Sequence, residues 1–125
     1  MDNWEAELLQ ALEDYKDEIT DGVKNSVEEV AEKTVETLKR TSPKRATGKK
    51  KGKYARGWRA KDVTRKATER EVVVHNATDY QLTHLLEKGH VNRDGSFTAA
   101  RPHIADAEKQ AVKDLEEKIT VIIKG

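Results

Sequence analysis

The chain has 125 residues, of which 38% are charged and 35% are hydrophobic, and it contains no cysteine. This length fits one domain, residues 1–125, with a modest core, and the charged fraction leaves more surface than an ordinary domain of this size carries. Disulfides and thiolate metal sites are excluded, and no apolar run approaches the roughly 18 residues that a membrane span needs. We therefore expect a soluble protein of a reducing compartment, with no membrane partner.

The small net charge of +1 hides a strong polarity along the sequence. Residues 1–38 hold 12 acidic residues and 3 lysines, a net charge of −9, whereas residues 39–66 hold 13 basic residues and one aspartate, a net charge of +12. Residues 67–125 hold 8 basic and 10 acidic residues and are close to neutral. An acidic segment followed by a basic one favours self-association and also the binding of polyanions.

Residues 1–41 are predicted to form one long amphipathic helix, because apolar side chains recur every three or four positions from Trp4 to Leu38. At about 1.5 Å per residue the helix would extend on the order of 55 Å, which is longer than a domain of this size requires. Pro43 disfavours the helical conformation of Ser42 and so ends the helix. We expect the ends of this helix to project toward neighbouring molecules.

A basic, flexible loop is predicted for residues 42–57. Residues 44–53 combine lysines, an arginine and two glycines with no apolar periodicity, so burial cannot offset the entropy of ordering them. We expect residues 44–53 to be disordered in the isolated subunit. The basic positions of this region and its immediate neighbour are Lys44, Arg45, Lys49, Lys50, Lys51, Lys53, Arg56 and Arg59.

A β-hairpin is predicted over residues 58–76, with its turn at residues 66–68, because two stretches of strand-favouring residues flank that turn. A short helix is predicted over residues 78–89. In this helix Thr78 and Gln81 would form a capping box, in which each side chain satisfies a backbone donor at the helix start.

Gly89 is predicted to end the short helix, since glycine adopts left-handed conformations without penalty. A loop over residues 90–101 follows, with a turn at Asp94-Gly95. Pro102 is typical of a helix start, and a C-terminal helix is predicted over residues 102–122. The predicted fold class is α+β: a long N-terminal helix and a C-terminal helix packed on a small antiparallel sheet, with a short helix after a β-hairpin.

The sequence offers no arrangement of residues for catalysis or for holding a cofactor. No two histidines form the His-x-x-x-His pair of a helical metal site, and no serine lies in a nucleophile elbow or a phosphate loop. We expect a protein that is not an enzyme and that needs neither metal nor cofactor. The histidines are His75, His84, His90 and His103.

The basic segment, residues 44–66, has two interpretations in which Tyr54 and Trp58 play different parts. In the first, the chain is a small nucleic-acid-binding protein whose basic side chains neutralise phosphates and whose aromatic side chains stack on bases. In the second, the segment contacts the acidic helix of a neighbouring subunit, and the two aromatic residues anchor the hairpin to the core. The second is favoured, because a net charge of +1 is far from the strongly basic balance of a dedicated nucleic-acid binder.

Three stretches of the sequence, read together, resemble a known family. The first is Pro43 with Thr47-Gly48 and the aromatic pair of residues 54–58, the second is the segment 80–90 with its Leu-Glu-x-Gly ending, and the third is Pro-His-Ile at residues 102–104. In order and spacing they are similar to the Hong Kong 97-type tail-component family of siphophages. Members of that family are described as neck, head–tail joining or tail-completion proteins. The chain departs from the family pattern by one extra residue before Gly48 and by a long lysine-rich insert after it.

The resemblance implies a structural virion protein of a tailed phage or a resident prophage, placed at the head–tail junction and present in the host cytoplasm during assembly. Its implied partners are further copies of itself in a homo-oligomeric ring and the neighbouring connector and tail proteins, with transient contact to genomic DNA in the channel left open. The matched residues can also be interpreted as a signature of the fold, because they are expected to cap helices, make turns and fill the core. The signature residues are Pro43, Gly48, Tyr54, Trp58, Leu86, Gly89, Asp94, Gly95, Pro102 and His103.

Overall fold

The computed structural model describes residues 4–44, 52–67 and 69–124, most of which are helical. The strands pair in two antiparallel ladders, Trp58–Asp62 with Val72–Asn76 and His90–Val91 with Phe97–Thr98. The α+β prediction is confirmed, with long N- and C-terminal helices and a small antiparallel sheet. In chain order the elements are α1 (Trp4–Thr41), α2 (Lys53–Arg56), β1 (Trp58–Asp62), β2 (Val72–Asn76), α3 (Leu82–Lys88), β3 (His90–Val91), β4 (Phe97–Thr98) and α4 (Ile104–Lys124).

The two long helices, α1 and α4, run antiparallel and form the main body of the protein. Near the end of α4, Lys118 Nζ donates to Glu29 Oε2 across the pair at 2.9 Å. About one turn further along, Ile122 lies against Gly22, where a Cβ would come within 3.3 Å of the isoleucine side chain. A glycine inside a helix costs about 1 kcal/mol relative to alanine, and here it allows close packing. Since α4 ends at Lys124, about four turns of α1 extend beyond it.

The β1–β2 hairpin lies across α1. Its ladder begins with Trp58 opposite Asn76. Arg70, in the connection between the strands, ties the hairpin to α1 through its Nη1, which lies 3.1 Å from Glu28 Oε1. Of the predicted turn at residues 66–68, residue 68 lies outside the described residues.

A small core lies where the hairpin meets the two long helices, and it is thin. Among the described residues no large side chain is less than 2% exposed. The chain exposes 9564 Å², against about 6,700 Å² expected for a compact monomer of this size. The protein therefore presents much more surface than its own folding requires. The buried core residues are Leu38, Tyr54, Trp58 and Ala107, and the half-buried Val35, Val74, Leu86 and Ile104 pack against them.

The predicted loop over residues 42–57 is wrong at its C-terminal end, because α2 forms there. Tyr54 and Ala55 are buried at 7% and 1% exposure, and Asn76 Nδ2 donates to Tyr54 O at 2.7 Å. Burial of these two residues offsets the entropy of ordering the short helix. The middle of the predicted loop, residues 45–51, lies outside the described residues.

The short helix predicted over residues 78–89 begins later, at Leu82, and the predicted capping box is absent from it. Asn76 Oδ1 accepts from the backbone N–H groups of residues 78 and 79, at 3.2 and 2.8 Å, and folds this part of the chain into turns. Gln81, which precedes α3, makes no side-chain capping hydrogen bond. A side chain from the preceding strand thus delays the helix start.

The segment 90–101 is not entirely a loop, because β3 and β4 form a two-stranded ladder within it. Gly95, at φ +88°, lies in the turn that joins them, as the predicted turn requires. The C-terminal helix begins at Ile104 and ends at Lys124, two residues later at each end than predicted. Pro102 therefore precedes the helix and does not occupy its first turn.

Candidate assembly surface

Three of the signature residues meet in the core. The rings of Tyr54, Trp58 and His103 contact one another edge to face, with centroid separations of 5.5 to 6.2 Å. Trp58 Nε1 donates to Ser42 Oγ at 2.8 Å, which joins the hairpin to the end of α1. Trp58 and Tyr54 are 4% and 7% exposed, so neither ring face is available to stack on a nucleic-acid base.

His103 holds this cluster together by two hydrogen bonds. Its Nδ1 lies 2.9 Å from Arg101 O, which can only accept, so the ring proton is on Nδ1. The Tyr54 hydroxyl then donates to His103 Nε2 at 2.7 Å, an arrangement that fits the neutral ring. Burial and the nearby Glu87 carboxylate raise the pKa of Tyr54, although a hydrogen bond with Thr83 lowers it. The tyrosine therefore remains a protonated donor.

Glu87 links the second and third stretches of the signature through a helix cap. Its Oε1 accepts from the backbone N–H of His103 at 2.8 Å and of Ile104 at 2.9 Å, and its Oε2 accepts from that of Ala105 at 3.0 Å. These donors at the start of α4 have no partner within their own helix. Burial raises the pKa of Glu87, but the three backbone donors lower it, and the net pKa lies below the ordinary value of a glutamate.

Glu87 was not singled out from the sequence. The signal that could have found it is the joint presence of Leu-Glu-x-Gly and Pro-His-Ile, because the glutamate of one motif caps the helix that the other begins.

The turns of the signature shape the chain around the core. Gly89 ends α3 at φ +78°, and a Cβ there would lie 2.6 Å from Thr98 O. Asp94 Oδ1 accepts from the Ser96 backbone N–H at 2.9 Å and stabilises the turn between β3 and β4. Leu86 packs against the core from α3.

The two prolines of the signature lie outside the long helices. Pro43 follows the end of α1 by two residues, and Pro102 precedes the start of α4 by two residues. Their fixed φ suits segments that leave or approach a helix. Gly48 lies outside the described residues.

The predicted basic positions fall into three groups. Lys44 and Lys53 border one groove, and Lys53 Nζ lies 3.5 Å from Asp79 Oδ1 within it. Arg56 and Arg59 are exposed, and the Arg59 guanidinium donates to Arg56 O at 2.6 Å. The structure thus places Lys44 and Lys53 at the same groove, Arg56 at the end of α2 and Arg59 on β1. The remaining positions, Arg45, Lys49, Lys50 and Lys51, lie outside the described residues.

The start of α1 is an exposed helix that we call the N-terminal projection, residues 4–18. Every one of its residues is exposed. Four large apolar side chains lie along one face and form what we call the apolar stripe: Trp4 (57% exposed), Leu8 (51%), Leu12 (56%) and Tyr15 (55%). This stripe continues the face of α1 that α4 covers further along the helix. Exposed apolar surface of this extent is typical of a site of protein contact.

The charges of α1 are segregated along its length. Residues 4–21 hold seven acidic residues and one lysine, and none of the seven carboxylates forms an ion pair with another described residue. Further along, Glu28 and Glu29 are paired with Arg70 and Lys118. The other end of α1 is basic and lies about 40 Å from the middle of the projection. The helix is therefore negative at its start and positive at its end, the distribution that the helix dipole favours.

Two grooves lie beside the core. The first, of about 340 Å³, runs between α1, α4 and the β1–β2 sheet; it is almost entirely apolar, and Glu108 is its one charged residue. The second, of about 590 Å³, lies between the end of α1, α2 and α3, and we call it the α2–α3 groove. Its lining includes Leu82 and Leu86, and its charged residues are Lys44, Lys53, Asp79 and Arg101.

Within residues 4–44, 52–67 and 69–124, no group of three or more histidine, aspartate or glutamate side chains could hold a metal ion. None of the helices in these ranges is long and apolar enough to cross a membrane.

A family of bacteriophage tail components matches residues 6–89 of the chain, a range that runs from the N-terminal projection to Gly89. The family is described as "Bacteriophage HK97-gp10, putative tail-component", and the chain belongs to it. No curated protein and no solved structure matches the chain.

Membership in this family confirms the resemblance inferred from the sequence and supports a structural role in a phage virion, in contact with other tail proteins. The match ends before the Pro-His-Ile stretch. Glu87 nevertheless ties that stretch to the matched range, since it caps α4 from the last turn of α3.

Proposed function

We propose that this protein is a non-enzymatic subunit of the head–tail connector of a tailed phage or prophage, where copies assemble into a ring at the neck or at the completed end of the tail. The observation that carries the proposal is the polarised α1, whose apolar and acidic start is exposed and forms no ion pair with another described residue.

A ring requires a heterologous contact, in which one surface of a subunit meets a different surface of the next. The charges of α1 favour such a contact. Two N-terminal projections placed side by side would bring their unpaired carboxylates together, whereas the basic end of a neighbouring α1 would attract them. The two oppositely charged surfaces lie far apart on one subunit, so each is available to a different neighbour.

The surface of the subunit also supports assembly. The chain exposes 9564 Å², against roughly 6,700 Å² for a compact monomer of this size. A typical interface covers about 800 Å² on each partner, and the excess is larger than two such interfaces together. A subunit with two neighbours in a ring could cover much of this excess.

A phage carrying an amber mutation in this gene tests the proposed role directly. In a non-suppressing host we expect DNA-filled heads and separate tails that fail to join, or tails of abnormal length, by electron microscopy. Normal infectious particles without the protein would contradict the proposal. Complementation with the wild-type gene from a plasmid is the control.

A second candidate function, nucleic-acid binding through residues 44–66, is favoured by one observation: Arg59 and Lys61 are exposed on β1. Burial of Tyr54 and Trp58 leaves phosphate contact as the means of binding. A filter-binding titration separates the two functions. Tight binding to duplex DNA that weakens steeply with salt would favour the second candidate, and weak binding would favour the connector.

A further inference from the structure

We infer that the N-terminal projection of one subunit docks in the α2–α3 groove of the next subunit. This inference rests on the proposed ring, and it names the two surfaces that join. The occupant is a second copy of this chain, because the projection is apolar and acidic, whereas the groove combines apolar lining residues with an excess of basic ones.

The projection has the form of a helix that binds in a groove. Trp4, Leu8, Leu12 and Tyr15 follow one another by four, four and three residues, the spacing of anchors on one helix face. Tryptophan and tyrosine are among the residues that contribute most at protein interfaces. Over 15 residues the helix extends about 22 Å beyond the end of α4.

The groove offers the matching apolar floor. Leu86 is half-buried there, and Leu82 at its edge is 40% exposed, as is Leu85 on the same short helix. Tyr80, just before α3, is 67% exposed. The floor therefore continues onto an exposed apolar face of α3 that a second helix can cover.

The rim of the groove has the opposite charge to the projection. Lys44, Lys53 and Arg101 outnumber its one carboxylate, Asp79, which is paired with Lys53. At 100° per residue, Glu5 and Glu18 fall at the two edges of the apolar stripe, where they would face such a rim.

The other groove is a poorer match for the same helix. It is apolar, but its one charged residue, Glu108, has the same sign as the projection. Like charges at an interface oppose association, so the electrostatics select the α2–α3 groove.

Complementing variants test this contact in the full-length protein. Leu8→Gln with Leu12→Gln disables the projection, and Lys44→Glu with Arg101→Glu disables the groove. Each double variant alone should raise the concentration for half-assembly by about tenfold or more, as expected when interface anchors are lost. Mixed together, they should form a one-to-one dimer and stop there, because each retains one intact half of the contact. Multi-angle light scattering measures both results.

Matched controls separate the contact from a loss of folding. Leu9→Gln changes a leucine that is 68% exposed and lies off the stripe, and Lys61→Glu with Arg65→Glu changes exposed basic residues away from the groove. Both controls should assemble like the wild type, and all variants should retain its melting temperature when they are compared at a concentration below that of assembly. Adding Glu5→Lys and Glu18→Lys to the groove variant should restore rings if the charges meet.

Cross-linking locates the contact independently, since the chain has no native cysteine. A short bis-maleimide should produce a ladder of linked subunits from the variant with Leu12→Cys and Leu82→Cys. Linking only when Leu12→Cys is combined with Glu108→Cys would overturn the inference while leaving a ring intact. Linking by Leu12→Cys alone would overturn it as well, because two projections would then meet in an isologous contact, which closes as a dimer. A wild-type protein that stays monomeric at every concentration and salt would instead overturn the proposed function.

Discussion

Replacing Glu87 with alanine should destabilise the fold by about 2–3 kcal/mol, a large effect for a single carboxylate. The side chain is 18% exposed and accepts three backbone hydrogen bonds at the start of α4. Hydrogen bonds to a charged group contribute about 1.5–3 kcal/mol, and the partly buried donors of His103 and Ile104 would lose their acceptor, whereas the exposed donor of Ala105 can bind water. The melting temperature should fall by on the order of 5–12 °C.

The effect should depend on pH in a defined direction. The pKa of Glu87 is lowered in the folded protein, so its contribution is fully present above the unfolded value of 4.5 and is lost as the pH falls through the folded value. Urea unfolding followed by far-UV circular dichroism, at about pH 7 and about pH 3, compares a pH above the unfolded pKa, where the contribution is fully present, with a pH below it. Glu116→Ala, at an exposed position of α4, is the control for helix content. Either of two results would refute the capping argument. The first is a loss of unfolding free energy within about 0.5 kcal/mol of that control, which is the usual range of surface substitutions. The second is a loss that is equal at both pH values.

Three further predictions concern the turns, the core and the charges. Gly89→Ala should lower the free energy of unfolding by more than about 2 kcal/mol, because its Cβ would lie 2.6 Å from a backbone oxygen. Gly95→Ala, whose Cβ meets open space, should lower it by about 1 kcal/mol, and chemical denaturation measures both values. Trp58→Ala should cost about 3–5 kcal/mol, and Leu86→Ala, which is only half-buried, about 2 kcal/mol in the same assay; equal values would contradict the core assignment. Oligomers should loosen as salt rises in light scattering, because exposed charges are screened within about 8 Å at physiological salt. Replacing four lysines with glutamine should mimic high salt, and unchanged assembly would remove the basic loop from the contact; these are Lys49, Lys50, Lys51 and Lys53.

The parts of the fold that the sequence predicted well are those governed by a long repeating pattern. The three-to-four spacing of apolar residues extends through the whole of α1, so its end at Thr41 followed from Pro43 alone. The three consecutive valines of β2 likewise indicated a strand. In both cases the local preference and the tertiary contacts favour the same structure.

The parts that the sequence did not predict depend on side chains that come from elsewhere in the chain. Asn76 delays the start of α3 because its amide oxygen accepts the backbone donors that a helix would otherwise use. Glu87 caps a helix that begins 17 residues later. The known capping patterns consist of residues within about four positions of the helix start, so they do not identify a cap that a different helix supplies. In the sequence, this cap is indicated only by the joint presence of the Leu-Glu-x-Gly and Pro-His-Ile motifs in two distant stretches.

The distribution of contacts along α1 explains how one helix can serve both the fold and the assembly. Beyond Gly22 the helix is held by α4, by the hairpin and by the core. Among the described residues, the N-terminal projection makes only its own backbone hydrogen bonds and a few polar contacts. An isolated helix of about 15 residues is marginally stable in water, so a neighbour must supply the burial that stabilises the projection fully. The unpaired carboxylates meanwhile oppose contact between two apolar stripes and favour a basic partner. In the contact that we propose, the acidic surface thus selects the partner, and the apolar stripe supplies most of the binding free energy once that partner is in place.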